Sequence, residues 1–411
     1  MGVDEVFDAV VLSRVFRARE KLLPDYIPEE LPHRDLQIRR VAETLAPALR
    51  GERPSNLFIY GLTGTGKTAV VKHVVRRLTY RASRLGVVVS GIYINVRHRD
   101  TPYRVLADIA ESIGVRVPFT GLSTGEVFYR IVRALRRRGG IYIIILDEID
   151  FLVRRYGDDV LYKLVRINED LGSSRVSLVG ITNSVSFIES LDPRVKSSLG
   201  EEEIVFPPYN ASQLRDILEA RAREAFNPGV LDEEVIPLCA ALAAREHGDA
   251  RRALDLLRVS GEIAERRGSG RVTREHVMAA RMEIERDRVS EVVKTLPLHG
   301  KLVLAAITAL TMGGRVTTTT GDVYSYYKDL TARIGIEHVT SRRVSGLIGE
   351  LEMLGIVSAR VISRGRYGKT RVIGLLADPA IIVGSLWEDP ALEPVMDDVE
   401  RDALGKGGSG V

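Results

Sequence analysis

The most constraining feature of this 411-residue sequence is one glycine-rich segment of eight residues, Gly61-Leu62-Thr63-Gly64-Thr65-Gly66-Lys67-Thr68. It follows an apolar run, residues 57–60, that is typical of a buried strand, and it opens a helical pattern that continues to about Leu85. Glycines let successive backbone N–H groups turn inward around an anion, and the start of a helix adds partial positive charge. The segment therefore predicts a binding site for phosphate groups.

The segment matches the P-loop pattern of nucleotide-binding proteins at every defined position. In that pattern the amine of Lys67 reaches the β- and γ-phosphates, and the hydroxyl of Thr68 binds Mg²⁺. We therefore predict ATP or ADP, together with Mg²⁺, as the ligands of this site. The residues expected around the nucleotide phosphates are Gly61, Leu62, Thr63, Gly64, Thr65, Gly66, Lys67, Thr68 and Ala69.

A second motif supports the first, because the apolar run of residues 143–146 is followed directly by two carboxylates, Asp147 and Glu148. Acidic residues at a strand end are common, but together with a P-loop upstream they indicate nucleotide chemistry. Asp147 is placed to hold the metal, usually through water, and Glu148 is placed to orient and deprotonate an attacking water.

Three further polar residues are candidates for the same site. Asn183 follows the strand predicted at residues 176–182, where its amide would position water near the γ-phosphate or would cap a loop. Arg194 and Arg251 would contact phosphates or would form ion pairs on the surface. Spacing alone leaves both interpretations open for each residue.

The order of predicted elements divides the chain into domains. Apolar strands at residues 57–60, 87–95, 141–147 and 176–182 alternate with helices, which predicts an α/β domain with a parallel sheet covered on both faces. The strand signal stops after Tyr209, and residues 211–285 read as helices only. The predicted domains are a lead-in (1–50), the P-loop domain (51–206), a helical domain (207–287), a helix-and-hairpin domain (288–380) and an acidic flexible tail (381–411).

The helix-and-hairpin domain has the pattern of a winged helix. Helices are predicted at residues 291–311, 320–334 and 340–354, and two β-rich runs, residues 356–363 and 370–375, flank a basic tip. In the third helix, apolar residues recur at three- and four-residue spacing, which predicts one buried stripe. The stripe consists of Val344, Leu347, Ile348, Leu351 and Leu354.

Positive charge is concentrated in this domain. Residues 300–375 contain eleven Lys/Arg and five Asp/Glu, a net charge of +6, whereas the whole chain carries +4. A local basic surface predicts binding to double-stranded DNA, although winged helices also bind proteins. The predicted DNA contacts are Thr340, Ser341, Arg342, Arg343 and Ser345 on the third helix, and Arg364, Arg366, Tyr367 and Lys369 on the hairpin.

Composition excludes several classes. A single cysteine, Cys239, excludes an internal disulfide framework and a cysteine-based metal cluster. No apolar stretch approaches the roughly 18 residues that cross a bilayer. The N-terminus also lacks the basic start of a secretion signal. We therefore expect a cytoplasmic protein that has no membrane partner, and the predicted DNA binding adds the expectation that it is nucleoid-associated.

These motifs resemble those of an AAA+ ATPase, and more specifically those of the archaeal origin recognition and cell-division-control initiators. The resemblance covers about residues 20–378. It is carried by the lead-in box Tyr26-Ile27-Pro28-Glu29-Glu30-Leu31-Pro32-His33-Arg34-Asp35, by Asp147-Glu148-Ile149-Asp150, by Gly248-Asp249-Ala250-Arg251 and by the C-terminal helix-and-hairpin unit. It implies an AAA+ domain, a helical lid and a winged helix.

The resemblance also implies residue roles. Asn183 matches sensor one, Arg251 matches the sensor-two arginine of the lid ahead of its neighbour Arg252, and Arg194 matches an arginine finger that serves an adjacent subunit. Slow hydrolysis by an isolated subunit follows. Residues that match family positions near the adenine are Tyr26, Ile27 and His33. The insert at residues 101–138 matches an initiator-specific helical element, in which Arg116 is a further candidate DNA contact.

The resemblance implies a replication initiator that recognises double-stranded origin DNA, with other initiator subunits and the replicative helicase as partners and ATP as the switch. Two alternatives stay open at the level of sequence. One is an AAA+ DNA motor, such as a branch-migration helicase. The other is a signalling ATPase whose winged helix binds protein.

Overall fold

Five parallel strands form the sheet that carries the phosphate-binding segment. They are β1 (Leu57–Tyr60), β2 (Val89–Asn95), β3 (Gly140–Asp147), β4 (Ser174–Thr182) and β5 (Glu202–Val205). Their order across the sheet is β2-β3-β4-β1-β5. Asp147 lies opposite Asn95 on one side and Ile181 on the other, and Tyr60 lies opposite Thr182. The carboxyl ends of β1, β3 and β4 therefore meet at one edge of the sheet.

The computed structural model describes residues 13–99, 101–184, 187, 189, 191–313, 318–363 and 369–404. The chain divides into two compact units, one that ends at Met278 and one that begins at Ala279.

In the first unit, the helices up to residue 199 pack around the sheet, and those from residue 211 onward form a separate helical segment. They are α1 (Asp35–Leu45), α2 (Lys67–Arg84), α3 (Pro102–Ser112), α4 (Thr124–Arg138), α5 (Ile149–Tyr156), α6 (Asp159–Val165), α7 (Pro193–Leu199), α8 (Ala211–Ala225), α9 (Val235–Arg245) and α10 (Ala250–Arg266). A further helix, α11 (Arg274–Thr295), runs across the boundary between the two units.

Strand β3 is buried on both faces, as its continuous apolar sequence predicts. Successive side chains of a strand point to opposite faces, so the strand supplies two cores. Ile143 and Ile145 pack in a core with residues of α1 and α2, including Val74. Ile144 and Leu146 pack in a second core with residues of α3 and α4. This arrangement confirms the predicted α/β domain.

The helical segment that follows the sheet is built from α8, α9 and α10. The N-terminal end of α8 is stabilised by a capping box, in which the side chains of Asn210 and Gln213 each accept a hydrogen bond from the other residue's backbone N–H. The start of α10 is capped by Asp249, whose carboxylate accepts from the backbone N–H groups of Arg251 (2.7 Å) and Arg252 (3.3 Å). The N-terminus of α10 is thereby fixed in position.

The second unit combines helices with a three-stranded antiparallel sheet in the order β6-β8-β7. The strands are β6 (Thr318–Thr319), β7 (Val357–Ser363) and β8 (Lys369–Leu375). The helices are α12 (Leu298–Met312), α13 (Thr320–Arg333), α14 (Ser341–Met353), α15 (Pro379–Trp387) and α16 (Glu393–Leu404). Helices followed by a hairpin confirm the predicted winged-helix pattern.

Four members of the predicted apolar stripe on α14 are buried, namely Val344, Leu347, Ile348 and Leu351. The fifth prediction is wrong, because Leu354 is 41% exposed. The helix ends at Met353, and Leu354 is its C-cap residue, so helical periodicity no longer decides which way this side chain points.

Two predicted boundaries were also wrong. Strand β5 was missed because it is an edge strand, and only Ile204 of its four residues is buried. The single helix predicted at residues 291–311 is two helices, since Pro297 caps the start of α12 and separates it from α11. A proline inside a helix removes one backbone hydrogen bond.

The prediction of a flexible tail from residue 381 is wrong up to Leu404. Helices α15 and α16 belong to the core of the second unit, and α16 buries Val395, Met396 and Val399 there. Trp387 Nε1 donates to Glu400 Oε1 over 2.6 Å. The acidic composition was misleading because the apolar residues of α16 recur at helical spacing, while its acidic residues Asp398 and Glu400 bond to Arg333 and Trp387 of the same unit. Residues 405–411 lie outside the described part of the chain.

Among the described residues, none of the helices has the combination of length and hydrophobicity that a membrane-crossing helix requires.

Candidate functional site

The P-loop curls because three of its residues have backbone angles that favour glycine. Gly64 (φ 66°) and Gly66 (φ 87°) have left-handed backbones. Gly61 (φ 155°) closely approaches the backbone of Phe206, the residue that follows β5. A side chain at Gly64 would lie 1.7 Å from the carboxylate of Asp249, and one at Gly61 would lie 2.3 Å from the carbonyl oxygen of Phe206. The loop therefore has no room for side chains at these positions.

Lys67 is the first residue of α2, and its side chain folds back along the loop. Its Nζ donates to the carbonyl oxygens of Gly61 (2.8 Å) and Leu62 (2.6 Å). Burial lowers the pKa of Lys67 to about 8, with the charge of Arg251 adding to that effect and the carboxylate of Asp147 opposing it. An anion at the loop would favour the protonated amine.

Asp147 gathers three donors at the end of β3. Its Oδ2 accepts from the hydroxyls of Thr68 (2.6 Å) and Tyr93 (2.8 Å), and its Oδ1 accepts from the backbone N–H of Glu148 (3.0 Å). A carboxylate and a hydroxyl oxygen in direct contact are the hard ligands that Mg²⁺ prefers. The residues present therefore fit a magnesium ion, which Asp147 and Thr68 would hold.

Glu148 has a left-handed backbone (φ 58°) at the start of α5. Such a conformation costs roughly 1–3 kcal/mol for a non-glycine residue and is concentrated at functional sites. It places the carboxylate at the wall of the cavity described below, where the guanidinium of Arg97 lies 3.8 Å away.

A cavity of about 540 Å³ adjoins the P-loop and is bounded by the lead-in, the sheet edge and the helical segment. Most of the predicted nucleotide residues line it: Tyr26, Ile27, Gly64, Thr65, Gly66, Lys67, Thr68, Ala69, Asp147, Glu148, Asn183 and Arg251. Gly61, Leu62, Thr63, His33 and Arg194 are outside this lining. A cavity of several hundred Å³ is the size that small ligands occupy.

The wall opposite the sheet is formed by the lead-in and α8. Arg221 of α8 is 8% exposed and lies with its guanidinium carbon 4.7 Å from the ring centroid of Tyr26. The Tyr26 hydroxyl donates to Glu224 (3.0 Å) and accepts from Lys21 (2.9 Å). This wall combines an aromatic ring with positively and negatively charged side chains. Such a surface suits a nucleotide base, whose face packs against ring or guanidinium groups and whose edge bonds to polar groups.

Arg251 and Arg252 are neighbours in sequence, but their side chains have different contacts. Arg251 lines the cavity, whereas Arg252 Nε donates to Glu246 over 2.9 Å in an ion pair. The backbone N–H of Ala250 donates to the carbonyl oxygen of Gly64 over 3.1 Å, so the start of α10 is bonded to the P-loop. Of the two arginines, Arg251 is therefore the one placed to reach nucleotide phosphates.

His33 and Arg194 have other contacts. His33 Nε2 lies 2.7 Å from Asp216 of α8 and fastens the lead-in to that helix. Arg194 is exposed near the start of α7, where it donates to Asp192 (3.0 Å) and lies 4.9 Å from the ring centroid of Tyr162. Its side chain is 70% exposed and lies outside the cavity lining of its own chain.

The recognition-helix candidates are exposed on the second unit. Arg342 and Arg343 point away from the buried stripe of α14, and Arg343 pairs with Glu350 over 2.8 Å. Thr340 caps the helix, Ser341 is exposed, and Ser345 is half-buried. Arg364, Arg366 and Tyr367 lie outside the described residues, as does the side chain of Lys369 at the start of β8.

Arg116, the candidate from the insert, is exposed in the loop between α3 and α4. It borders a groove of about 590 Å³ on the first unit. Phe119 is 75% exposed beside it, with the guanidinium carbon of Arg104 at 4.7 Å from its ring centroid.

Three family models match the chain in sequence order. They are an AAA domain over residues 50–186, a Cdc6 AAA+ ATPase-type lid domain over residues 215–282 and a CDC6 C-terminal winged helix domain over residues 291–384. The chain is 67% identical over 390 residues to ORC1-type DNA replication protein 1 of Aeropyrum pernix, a match that covers 94% of this chain and 98% of that relative.

This chain belongs to the archaeal Orc1/Cdc6 family of replication initiators. It is also 57% identical over 386 residues to ORC1-type DNA replication protein 1 of Sulfurisphaera tokodaii, covering 94% of this chain and 96% of the relative. The solved structure of the Aeropyrum pernix ORC1 protein in complex with DNA superposes with a TM-score of 0.84 at 67% identity, over 93% of this chain and 99% of that one. The predicted family and fold class are confirmed.

The family motifs did not reveal all the residues that shape the site. Tyr93 and Lys72 are linked, since Lys72 Nζ lies 3.6 Å from the ring centroid of Tyr93, and Tyr93 donates to Asp147. Burial, then the charge of Asp147, raises the pKa of Tyr93, so its hydroxyl remains a donor. A tyrosine two residues before the end of a strand next to β3 was the available signal.

We predict that Tyr93→Phe raises the Mg²⁺ concentration needed for half-maximal strengthening of ADP binding by about tenfold, because residues that orient a metal ligand act on this scale. The measurement is a Mg²⁺ titration of a fluorescent ADP analogue on the protein. Affinity in the presence of EDTA should stay unchanged. Tyr142→Phe, which removes a hydroxyl from a buried tyrosine outside the cavity lining, is the matched control. An unchanged Mg²⁺ requirement in Tyr93→Phe would contradict this role.

Proposed function

We propose that this protein is an ATP-dependent replication initiator that binds double-stranded origin DNA through its winged helix and the insert at residues 101–138. The observation that carries the proposal is that P-loop residues and Arg251 of the lid line one cavity. A nucleotide bound there contacts both domains, so its γ-phosphate favours the closed arrangement. Loss of that phosphate removes a differential contact, which is how a ligand shifts a conformational equilibrium.

The nucleotide chemistry follows from the residues at the sheet edge. Mg²⁺, when bound, would neutralise phosphate charge and would be held by Asp147 and Thr68. Lys67 and Arg251 bring positive charge to the phosphates from opposite sides of the cavity. The Glu148 carboxylate accepts a proton from the attacking water, and the Asn183 amide orients that water.

Slow turnover by a single subunit is part of the proposal. Arg194 is 70% exposed in its side chain and is outside the cavity lining of its own chain. An arginine finger acts on a nucleotide held by another subunit, and its contribution to the rate is large. The isolated chain therefore lacks one catalytic cation until other initiator subunits assemble beside it.

DNA binding is supported by the second unit and by the relatives. Arg342 and Arg343 are exposed on the first turn of α14, which is the part of a recognition helix that enters the major groove. The family includes an Aeropyrum pernix protein whose structure was solved in complex with DNA. We extend the proposal to the hairpin tip and to Arg116 as further contacts, and to the replicative helicase as a downstream partner at the nucleoid.

We predict that Lys67→Ala weakens ATP binding by about 100-fold, because a buried charge-assisted contact of 2–3 kcal/mol is lost. Glu148→Gln should bind ATP as tightly as wild type but hydrolyse it at least about 100-fold more slowly, the usual effect of losing a general base. Fluorescent-nucleotide titration measures the first property, and single-turnover phosphate release measures the second. Normal release by Glu148→Gln would exclude Glu148 as the base.

The function itself is tested by duplex binding across a salt series, with an origin fragment from the source genome and a random duplex of equal length. We expect tighter binding to the origin, with affinity that falls steeply with salt. Arg342→Gln/Arg343→Gln should reduce the preference for the origin by about 1–3 kcal/mol per lost base contact. The control, Arg39→Gln/Arg215→Gln, removes two exposed arginines from other helices.

Two outcomes would reverse the proposal. If wild type shows no salt-sensitive duplex affinity, the winged helix binds protein instead. If ATP turnover in the same tubes is fast and strands separate, the protein is a motor.

A further inference from the structure

The outer face of α2 carries a row of basic residues that the nucleotide site does not use. Arg76, Arg77, Arg81 and Arg84 are exposed, and Tyr80 between them is 67% exposed. At 100° per residue these five positions fall within an arc of about 140°. The opposite face of the helix is buried in the core of the sheet. We name the five exposed residues the α2 arginine stripe.

The stripe has no acidic neighbours within its own helix. On other helices of the chain, several arginines pair with glutamates one turn away, as in Arg39–Glu43, Arg215–Glu219 and Arg258–Glu262. Helix α2 contains neither Asp nor Glu. Within the described part of the chain, no carboxylate lies within 4.0 Å of the four stripe arginines. The four positive charges of the stripe therefore lie close together and are not neutralised by neighbouring carboxylates.

Helix stability accounts for only part of this pattern. Cations in the last turn of a helix interact favourably with its dipole, and that effect falls off within one turn. It explains Arg81 and Arg84, which lie in the last turn of α2. Arg76 and Arg77 lie two turns from the end, where neighbouring like charges are destabilising.

We propose that the α2 arginine stripe binds the phosphate backbone of duplex DNA, as a further contact besides the winged helix and the insert at residues 101–138. This inference rests on the proposed DNA-binding function. The planar guanidinium group matches phosphate geometry, and Tyr80 adds a hydroxyl donor. The stripe extends over nine residues, or about 12 Å of helix, which corresponds to about three nucleotide steps of 3.4 Å on one strand.

The chemistry favours DNA over an acidic protein. Protein interfaces have an apolar core surrounded by a polar rim, and charged residues are depleted from that core. Among the exposed residues at positions 76–84, Tyr80 is the one large side chain without charge, and the exposed apolar residues Leu85 and Val88 lie beyond the last helical residue, Arg84. Contacts of this type read no bases, so they add affinity without adding sequence preference.

The test is the slope of log affinity against log salt for the full chain on random duplex. Arg76→Gln/Arg81→Gln should lower the slope by about two, since each phosphate contact contributes about 0.9. Affinity at 0.1 M salt should fall by about eightfold per lost contact. Arg76→Lys/Arg81→Lys keeps the charge and should restore most of the slope.

The matched control is Arg223→Gln/Arg245→Gln, which removes two exposed arginines from α8 and α9, outside the insert and outside the second unit. Equal slopes in the stripe variant and this control would overturn the inference and would indicate an effect of net charge alone. A slope unchanged from wild type in the stripe variant would also overturn it, and would leave an acidic protein as the partner. If wild type itself shows no salt-dependent binding, the proposed function fails first.

Discussion

A single buried guanidinium holds the nucleotide site together. Arg34 is 2% exposed, and it donates to the carbonyl oxygens of Thr65 (2.9 Å), His33 (3.0 Å) and Pro207 (2.7 Å). Its guanidinium carbon lies 3.7 Å from the ring centroid of Tyr209, and burial lowers its pKa. The three acceptors belong to the P-loop, the lead-in and the linker to the lid. Because an unpaired buried acceptor costs about 1–3 kcal/mol, this contact set holds three segments in one arrangement.

The other parts of the site depend on the parallel sheet. Parallel strands bring their carboxyl ends to one edge, and there the P-loop, Asp147 and Asn183 come together from positions far apart in sequence. The helical lid adds Arg251 to this site. The backbone N–H of Ala250 donates to the carbonyl oxygen of Gly64, and the following residue, Arg251, lines the cavity. The strained backbone of Glu148 is maintained because the strand before it is buried and α5 after it is anchored in the core by Ile149 and Leu152.

The sequence was sufficient to predict four of the five strands of the sheet, the P-loop and the position of the two acidic residues at the end of β3, because each depends on local pattern. For the same reason it was sufficient for four of the five predicted residues of the buried stripe of α14. The sequence did not reveal residues whose role depends on tertiary contacts. Nothing in the sequence distinguishes Arg34 from other charged residues of the lead-in box, or Tyr93 from other aromatic residues of strands. The acidic end of the chain was misjudged because net charge was weighed above the apolar spacing of α16.

The most direct test of this account is the ADP affinity of Arg34→Lys, measured by fluorescent-nucleotide titration beside Arg39→Lys, an exposed arginine of α1. Arg34 is outside the cavity lining, so a direct ligand contact is not what the substitution removes. We predict at least about tenfold weaker binding in Arg34→Lys, equivalent to about 1.4 kcal/mol, and no change in Arg39→Lys. Wild-type affinity in a folded Arg34→Lys protein would contradict the claim that this guanidinium assembles the site.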